Sequence, residues 1–248
     1  MRTSGKAFLA VALMFPYAEM AHAAAVEDAN AGVVAARAGK YDDAIELFTK
    51  AINSDELNLT GRAQAYAYRG IAKATLGDYD AAREDLNFAV ALDSPYNADA
   101  YAFRGYIALV TGAPQKAAAD LAKSAGLKVW AYNALWLALA RMRAGIADNG
   151  DVSLANNAMT LDLKQWPGPV VKFLMGQAQT GEVAAAANEG DPAKLTERVC
   201  DVNFYIGEYD LSHNDAAAAK PLLQDAAGNC PFASFERMGA TAELMRLK

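Results

Sequence analysis

The chain has 248 residues, 54% of them hydrophobic, and 29 acidic against 23 basic residues give a formal net charge of −6. That balance excludes nucleic acid and anionic membrane surfaces as main partners, because both call for a basic face. The high apolar content, much of it alanine, excludes a disordered chain.

Residues 1–23 read as a secretory signal peptide. Arg2 and Lys6 make a positive start, and the apolar run 7–15 is shorter than the ~20 residues needed to span a bilayer. Pro16 breaks the run, and Ala21-His22-Ala23 places small residues at a cleavage point. Cleavage removes Arg2, Lys6 and Glu19, leaving 21 basic against 28 acidic residues, net −7. There is no cysteine near that point to carry a lipid. The mature chain is therefore expected to be soluble and periplasmic, with no membrane insertion; the alternative is an uncleaved anchor.

Helix pairs are predicted at 25–54, 60–93, 97–125 and 129–165, with a shorter pair at 168–188 and a last pair at 194–228. Apolar spacing near 3.6 residues supports them, as at Tyr101, Gly105, Ala108 and Leu109. Extra residues after Asp55 lengthen the first link, and Thr60 is the expected cap of the helix that follows. In the fourth pair about five residues are inserted near Asn149-Gly150-Asp151. Trp166-Pro167-Gly168-Pro169 must then interrupt the helix and bend the array. A closing helix follows Pro231 and runs to about Arg246. Phe232, Phe235, Met238, Leu244 and Leu247 form its apolar side, and Glu236, Arg237, Glu243 and Arg246 fall elsewhere.

The stretch YAYRGIAKATLGDYDAAREDLNFAVALDSP recurs in weakened form as YAFRGYIALVTGAPQKAAADLAKSAG, about 35 residues later. Counted from Ala63, Gly70, Gly77, Tyr79, Ala82, Leu86 and Ala89 take positions eight, fifteen, seventeen, twenty, twenty-four and twenty-seven, and Ser94 takes the thirty-second. The same slots give Gly105, Gly112, Pro114, Ala117, Leu121 and Ser124 from Ala98. They give Gly32, Gly39, Tyr41, Ala44, Phe48 and Ala51 from Ala25, and Gly207, Asn214, Ala219, Leu223, Ala226 and Pro231 from Cys200. The eighth and twentieth positions must be small where two antiparallel helices cross. The fifteenth ends the first helix in the left-handed region, which Gly enters freely and Asn tolerates.

This pattern resembles the tetratricopeptide repeat. The resemblance implies an all-α, right-handed superhelical solenoid of antiparallel helix pairs with a C-terminal capping helix. It sets a signal at 1–23, a three-repeat array at 24–128, degenerate repeats at 129–193, and a repeat plus capping helix at 194–248. It also implies a non-enzymatic scaffold or adaptor that holds a partner protein or extended peptide of the cell envelope in a concave groove, with no cofactor. The groove slots fall on Val33, Gln64, Ala67, Ile71, Thr75, Asp99, Ala102, Tyr106, Leu109 and Val110, with Tyr106 as the best anchor; the alternative is that these residues pack on the next unit or the capping helix. Ala29 and Val33 stand where a carboxylate clamp needs polar residues, so no such clamp is expected. The C-terminal block is faintly similar to periplasmic protease adaptors of this family, which typically carry a lipid-bearing cysteine that this chain lacks.

Within the repeat frame Cys200 is first and Cys230 thirty-first, so a disulfide is expected across the base of the last hairpin; two free thiols are the alternative. Arg69 with Asp85, and Arg104 with Asp120, fit structural ion pairs between paired helices, against an anion-binding role for the arginines. His213, beside Ser212, Asn214 and Asp215, reads as a turn and not a triad. No metal cluster or catalytic constellation is legible. Two other readings stay open: a structural protein that dimerises through 232–247, and an enzyme with its site near Trp130, Trp136 and Trp166.

Overall fold

A computed structural model describes residues 14–92 and 97–248, with side chains from His22 onward. The charged start and most of the apolar run of the expected export signal lie outside the described residues, as do Ser94 and Pro95. Among the described residues no strand occurs, and no helix is long and apolar enough to cross a membrane. The chain divides into two compact units, Met1–Asn97 and Ala98–Lys248, a boundary that falls inside the array predicted for 24–128.

The first unit holds α1 (Met14–Arg37), α2 (Tyr41–Asn53), α3 (Leu59–Thr75) and α4 (Tyr79–Ala91). The first helix reaches well before the predicted residue 25, and Pro16 lies within it and does not end it. Asn58, not Thr60, caps α3: its side chain accepts from the Gly61 amide at 2.8 Å. α1 packs on α2, α3 on α4 and α2 on α3, around Phe48, Ala44, Ala51, Ile52, Leu57 and Ala65. At the α3–α4 crossing a Cβ added to Gly70 would stand 3.1 Å from the Ala82 carbonyl oxygen and from Leu86 Cγ. A methyl group there would push its neighbours back by a few tenths of an ångström.

The second unit opens with α5 (Asn97–Val110), α6 (Pro114–Leu127) and α7 (Ala131–Ala144). Gly105 takes the crossing with α6, where a Cβ would fall 2.6 Å from Leu121 Cγ. The fourth pair departs from expectation. Its second helix, α8 (Leu154–Ala158), has only five residues. Met159 stands 78% exposed instead of packing on a neighbour. The inserted loop is fixed by polar contacts: Arg141 donates to Asp148 at 2.5 Å, and Asp148 accepts from the Leu154 amide at 2.8 Å. Short helices α9 (Gly168–Leu174) and α10 (Thr180–Ala187) follow, then α11 (Leu195–Ser212), α12 (Ala216–Asn229) and α13 (Phe235–Arg246). Between α11 and α12, Asn214 adopts φ 62° in the slot where the earlier repeats place Gly39, Gly77 and Gly112.

α13 packs on α12 and α11, and only in part by the predicted face. Met238 is buried and Phe235 packs on Tyr106, but Gly239, Ala240, Glu236 and Glu243 are buried beside them, whereas Phe232, just before the helix, is 58% exposed. The reason is Gly239. A Cβ there would lie 2.6 Å from Phe204 and 3.3 Å from Trp136. The backbone of α13 thus presses directly onto an aromatic cluster and turns the flanking glutamates inward.

An aromatic cavity with buried carboxylates

The predicted groove does not form in the second unit. Ala102, Tyr106, Leu109 and Val110 are buried, and Asp99 is half-buried 3.6 Å from Lys128. Tyr106 is no exposed anchor. Its ring lies 4.9 Å from Trp136 and 4.6 Å from Phe235, and its hydroxyl donates to Asn133, which donates in turn to Ser124 Oγ at 2.7 Å. Burial raises the Tyr106 phenol well above its ordinary range. In the first unit Ala67 and Thr75 are buried, while Val33, Gln64 and Ile71 are half-buried. Helix packing has taken most of these positions.

What the second unit offers instead is a cavity of about 330 Å³. α5 supplies Phe103 and Tyr106, and α7 with its preceding residue supplies Trp130, Tyr132 and Trp136. α11 gives Glu197, Cys200 and Asp201, and the start of α13 with the segment before it gives Pro231, Ala233, Ser234, Phe235 and Glu236. Trp136, Tyr106, Asp201 and Glu236 are the buried part of the wall; Trp130, Glu197 and Pro231 are exposed. The Cys200–Cys230 disulfide joins two sides of this wall, with Cα atoms 5.1 Å apart.

Asp201 Oδ2 accepts from Tyr132 Oη at 2.8 Å and from Trp166 Nε1 at 2.7 Å. Among the described residues its Oδ1 accepts no hydrogen bond. Glu236 Oε1 takes only long contacts, from Trp136 Nε1 at 3.4 Å and Tyr205 Oη at 3.3 Å. No ion pair reaches Asp201, Glu236 or Glu197 among the described residues. Burial, then the neighbouring Glu236 charge, pushes Asp201 up to about 7, against the pull of the two donors. Burial likewise raises Glu236. These are acids held out of water with neutral donors and no counter-charge.

Two helical turns further along, the same helices build a different cluster. Arg143 Nε donates to Glu208 at 2.9 Å, and Arg143 Nη1 lies 2.5 Å from Glu243. Arg246 also pairs with Glu243 and donates to the Val110 carbonyl at 2.5 Å. Burial lifts Glu208 to about 7 even beside Arg143. The two predicted pairs lie elsewhere, between their helices. Arg69 Nε and Nη2 reach Asp85 at 2.8 and 2.7 Å, with Lys73 at 2.8 Å from the same carboxylate. Arg104 Nε and Nη2 reach Asp120 at 2.7 and 2.8 Å.

Asp201 and Tyr132 escaped the sequence reading, which set Phe235 and Glu236 on the closing helix but at no site. The signal for Asp201 was a carboxylate at core spacing, three and four residues from Phe204 and Tyr205.

No known family model matches the chain. Among solved structures it is similar to a tetratricopeptide repeat protein from Parabacteroides merdae ATCC 43184, with TM-score 0.50 and 18% identity, over 86% of this chain and 82% of that one. The likeness shows the fold: an array of helix pairs of the tetratricopeptide type.

Proposed function

We propose that this chain is a non-enzymatic scaffold of the bacterial cell envelope that grips a partner protein at the aromatic cavity of its second unit. Folds of this type serve as protein-binding arrays. The observation that carries the reading is the cavity itself: side-chain-sized, aromatic, and reaching the surface at Trp130, Glu197 and Pro231. An exported, oxidising location is supported by the signal read at 1–23 and by the paired cysteines. The test is site-specific photo-crosslinking in the periplasm. A photoreactive residue at Trp130 should give a reproducible adduct that one at exposed Val34 does not. Equal or absent labelling at the two positions would discard the cavity as the grip.

One observation favours a second reading. An acid lifted to about 7 inside a cavity is in the range useful for general acid–base chemistry. A turnover abolished by Asp201→Asn in a correctly folded protein would establish it over the scaffold.

A further inference from the structure

The two acid clusters of the second unit follow one plan. Asp201 and Glu208 stand seven residues apart on α11, Glu236 and Glu243 seven apart on α13, and Trp136 and Arg143 seven apart on α7. Seven residues make two turns, so each triple presents the same helical faces. In the Arg143 cluster the two glutamates are met by Arg143, with Arg246 beside Glu243. In the cavity the α7 position holds Trp136, and the carboxylates meet no cation. The chain therefore contains its own example of what this pair of acidic positions accepts.

We infer that the cavity binds a lysine or arginine side chain presented by the partner protein, which rests on the scaffold reading above. The entering cation supplies the charge that Arg143 supplies two turns away, beside Trp136 rather than in its place. Its charge faces Asp201, Glu236 and, at the exposed edge, Glu197. Its alkyl stem and charged head lie among Trp130, Tyr132, Trp136 and Phe235, whose ring faces attract cations. Asp201 Oδ1, without a donor among the described residues, receives one of the incoming N–H groups. An anion would meet three carboxylates. An apolar side chain would leave two buried acids unmatched. The groups facing Asp201 from the packed elements are Glu197 and Tyr205 of α11, Tyr132 of α7, Trp166, and Glu236 of α13, with no base among them. Cation binding must therefore compete with protons for these acids and tighten as they ionise.

The experiment is calorimetric titration of the intact protein with acetylated, amidated tripeptides Gly-Lys-Gly, Gly-Arg-Gly and Gly-norleucine-Gly, and with free cadaverine. The lysine or arginine peptide should bind at least about tenfold more tightly than the norleucine peptide, and more tightly at pH 8 than at pH 5.5. Asp201→Asn should remove most of that preference. Glu197→Gln, at an exposed position that leaves the core intact, should weaken it about twofold to threefold. Equal binding of the norleucine peptide, no heat with any cation, or an unchanged preference in both variants would overturn the inference. Tighter binding of cadaverine than of either peptide would overturn the protein source. A Trp130 crosslink that survives any of these failures would leave the scaffold reading standing.

Discussion

One set of helices carries two acid clusters, two turns apart, with opposite solutions to the same problem. In the Arg143 cluster the chain supplies its own cations, and the acids are locked. In the cavity it supplies aromatic rings and neutral donors, and the acids wait. A buried carboxylate met by arginine reads as architecture: removing either partner strands a charge. A buried carboxylate met only by tyrosine and tryptophan is costly to keep ionised, and a chain that keeps two of them beside an opening has left room for a counter-charge.

The comparison can be broken most forcefully at Arg143. Arg143→Met strands Glu208, leaves Glu243 to Arg246 alone, and should cost about 3–5 kcal/mol in urea denaturation; a loss under about 1 kcal/mol would erase the distinction between the clusters. Next is the disulfide. Cys200→Ser with Cys230→Ser releases a loop spanning 30 positions and should cost about 3 kcal/mol by chain entropy. Hydrogen exchange should rise first at Pro231–Phe235, on the cavity side, and later around Glu243.

Asp201→Asn should act in the opposite direction. The folded-state value near 7 lies above the unfolded value near 4, so between those limits the folded protein holds a proton that the unfolded chain has released. Stability therefore falls as pH rises from about 4 to 7 and stays low above it. Asparagine removes that penalty and should stabilise the protein by about 1–3 kcal/mol at pH 8, with little effect near pH 4. Unfolding midpoints at both pH values decide it, and a destabilised variant at pH 8 would mean that the native carboxylate already has its counter-charge. The smallest effect concerns the frame that holds both clusters: Gly105→Ala should cost about 1–3 kcal/mol against Leu121. Gly126→Ala, with open space around it, should gain about 0.5 kcal/mol.

The fold was legible because its requirements are local and periodic. Gly70, Gly105 and Gly207 stand at crossings, and Asn214 closes α11 in the left-handed region, because a small side chain or a positive φ is demanded at one place in each repeat. The middle was less legible: the loop before α8 is set by Arg141 and Asp148, not by any repeat slot. The cavity was legible only in its tryptophans, which the enzyme reading gathered at one site, and not in its acids. Tyr132 meets Asp201 across 69 positions, and Trp136 meets Glu236 across 100. The groove residues failed for the same reason. Slots read from one repeat assume an uncovered face, but Phe235 covers Tyr106, and Arg246 reaches the carbonyl of Val110. Glu236 and Glu243 were assigned to the outside of α13, and Gly239 turned them in.

The chain has three tryptophans, and all of them converge on one place: Trp130 and Trp136 line the cavity, and Trp166 holds Asp201 by its indole nitrogen. Tryptophan emission, excited apart from the tyrosines, is consequently a single-site gauge. Occupation of the cavity, or a change in the charge on Asp201, will move that whole spectrum, with no label and no distant tryptophan to dilute it.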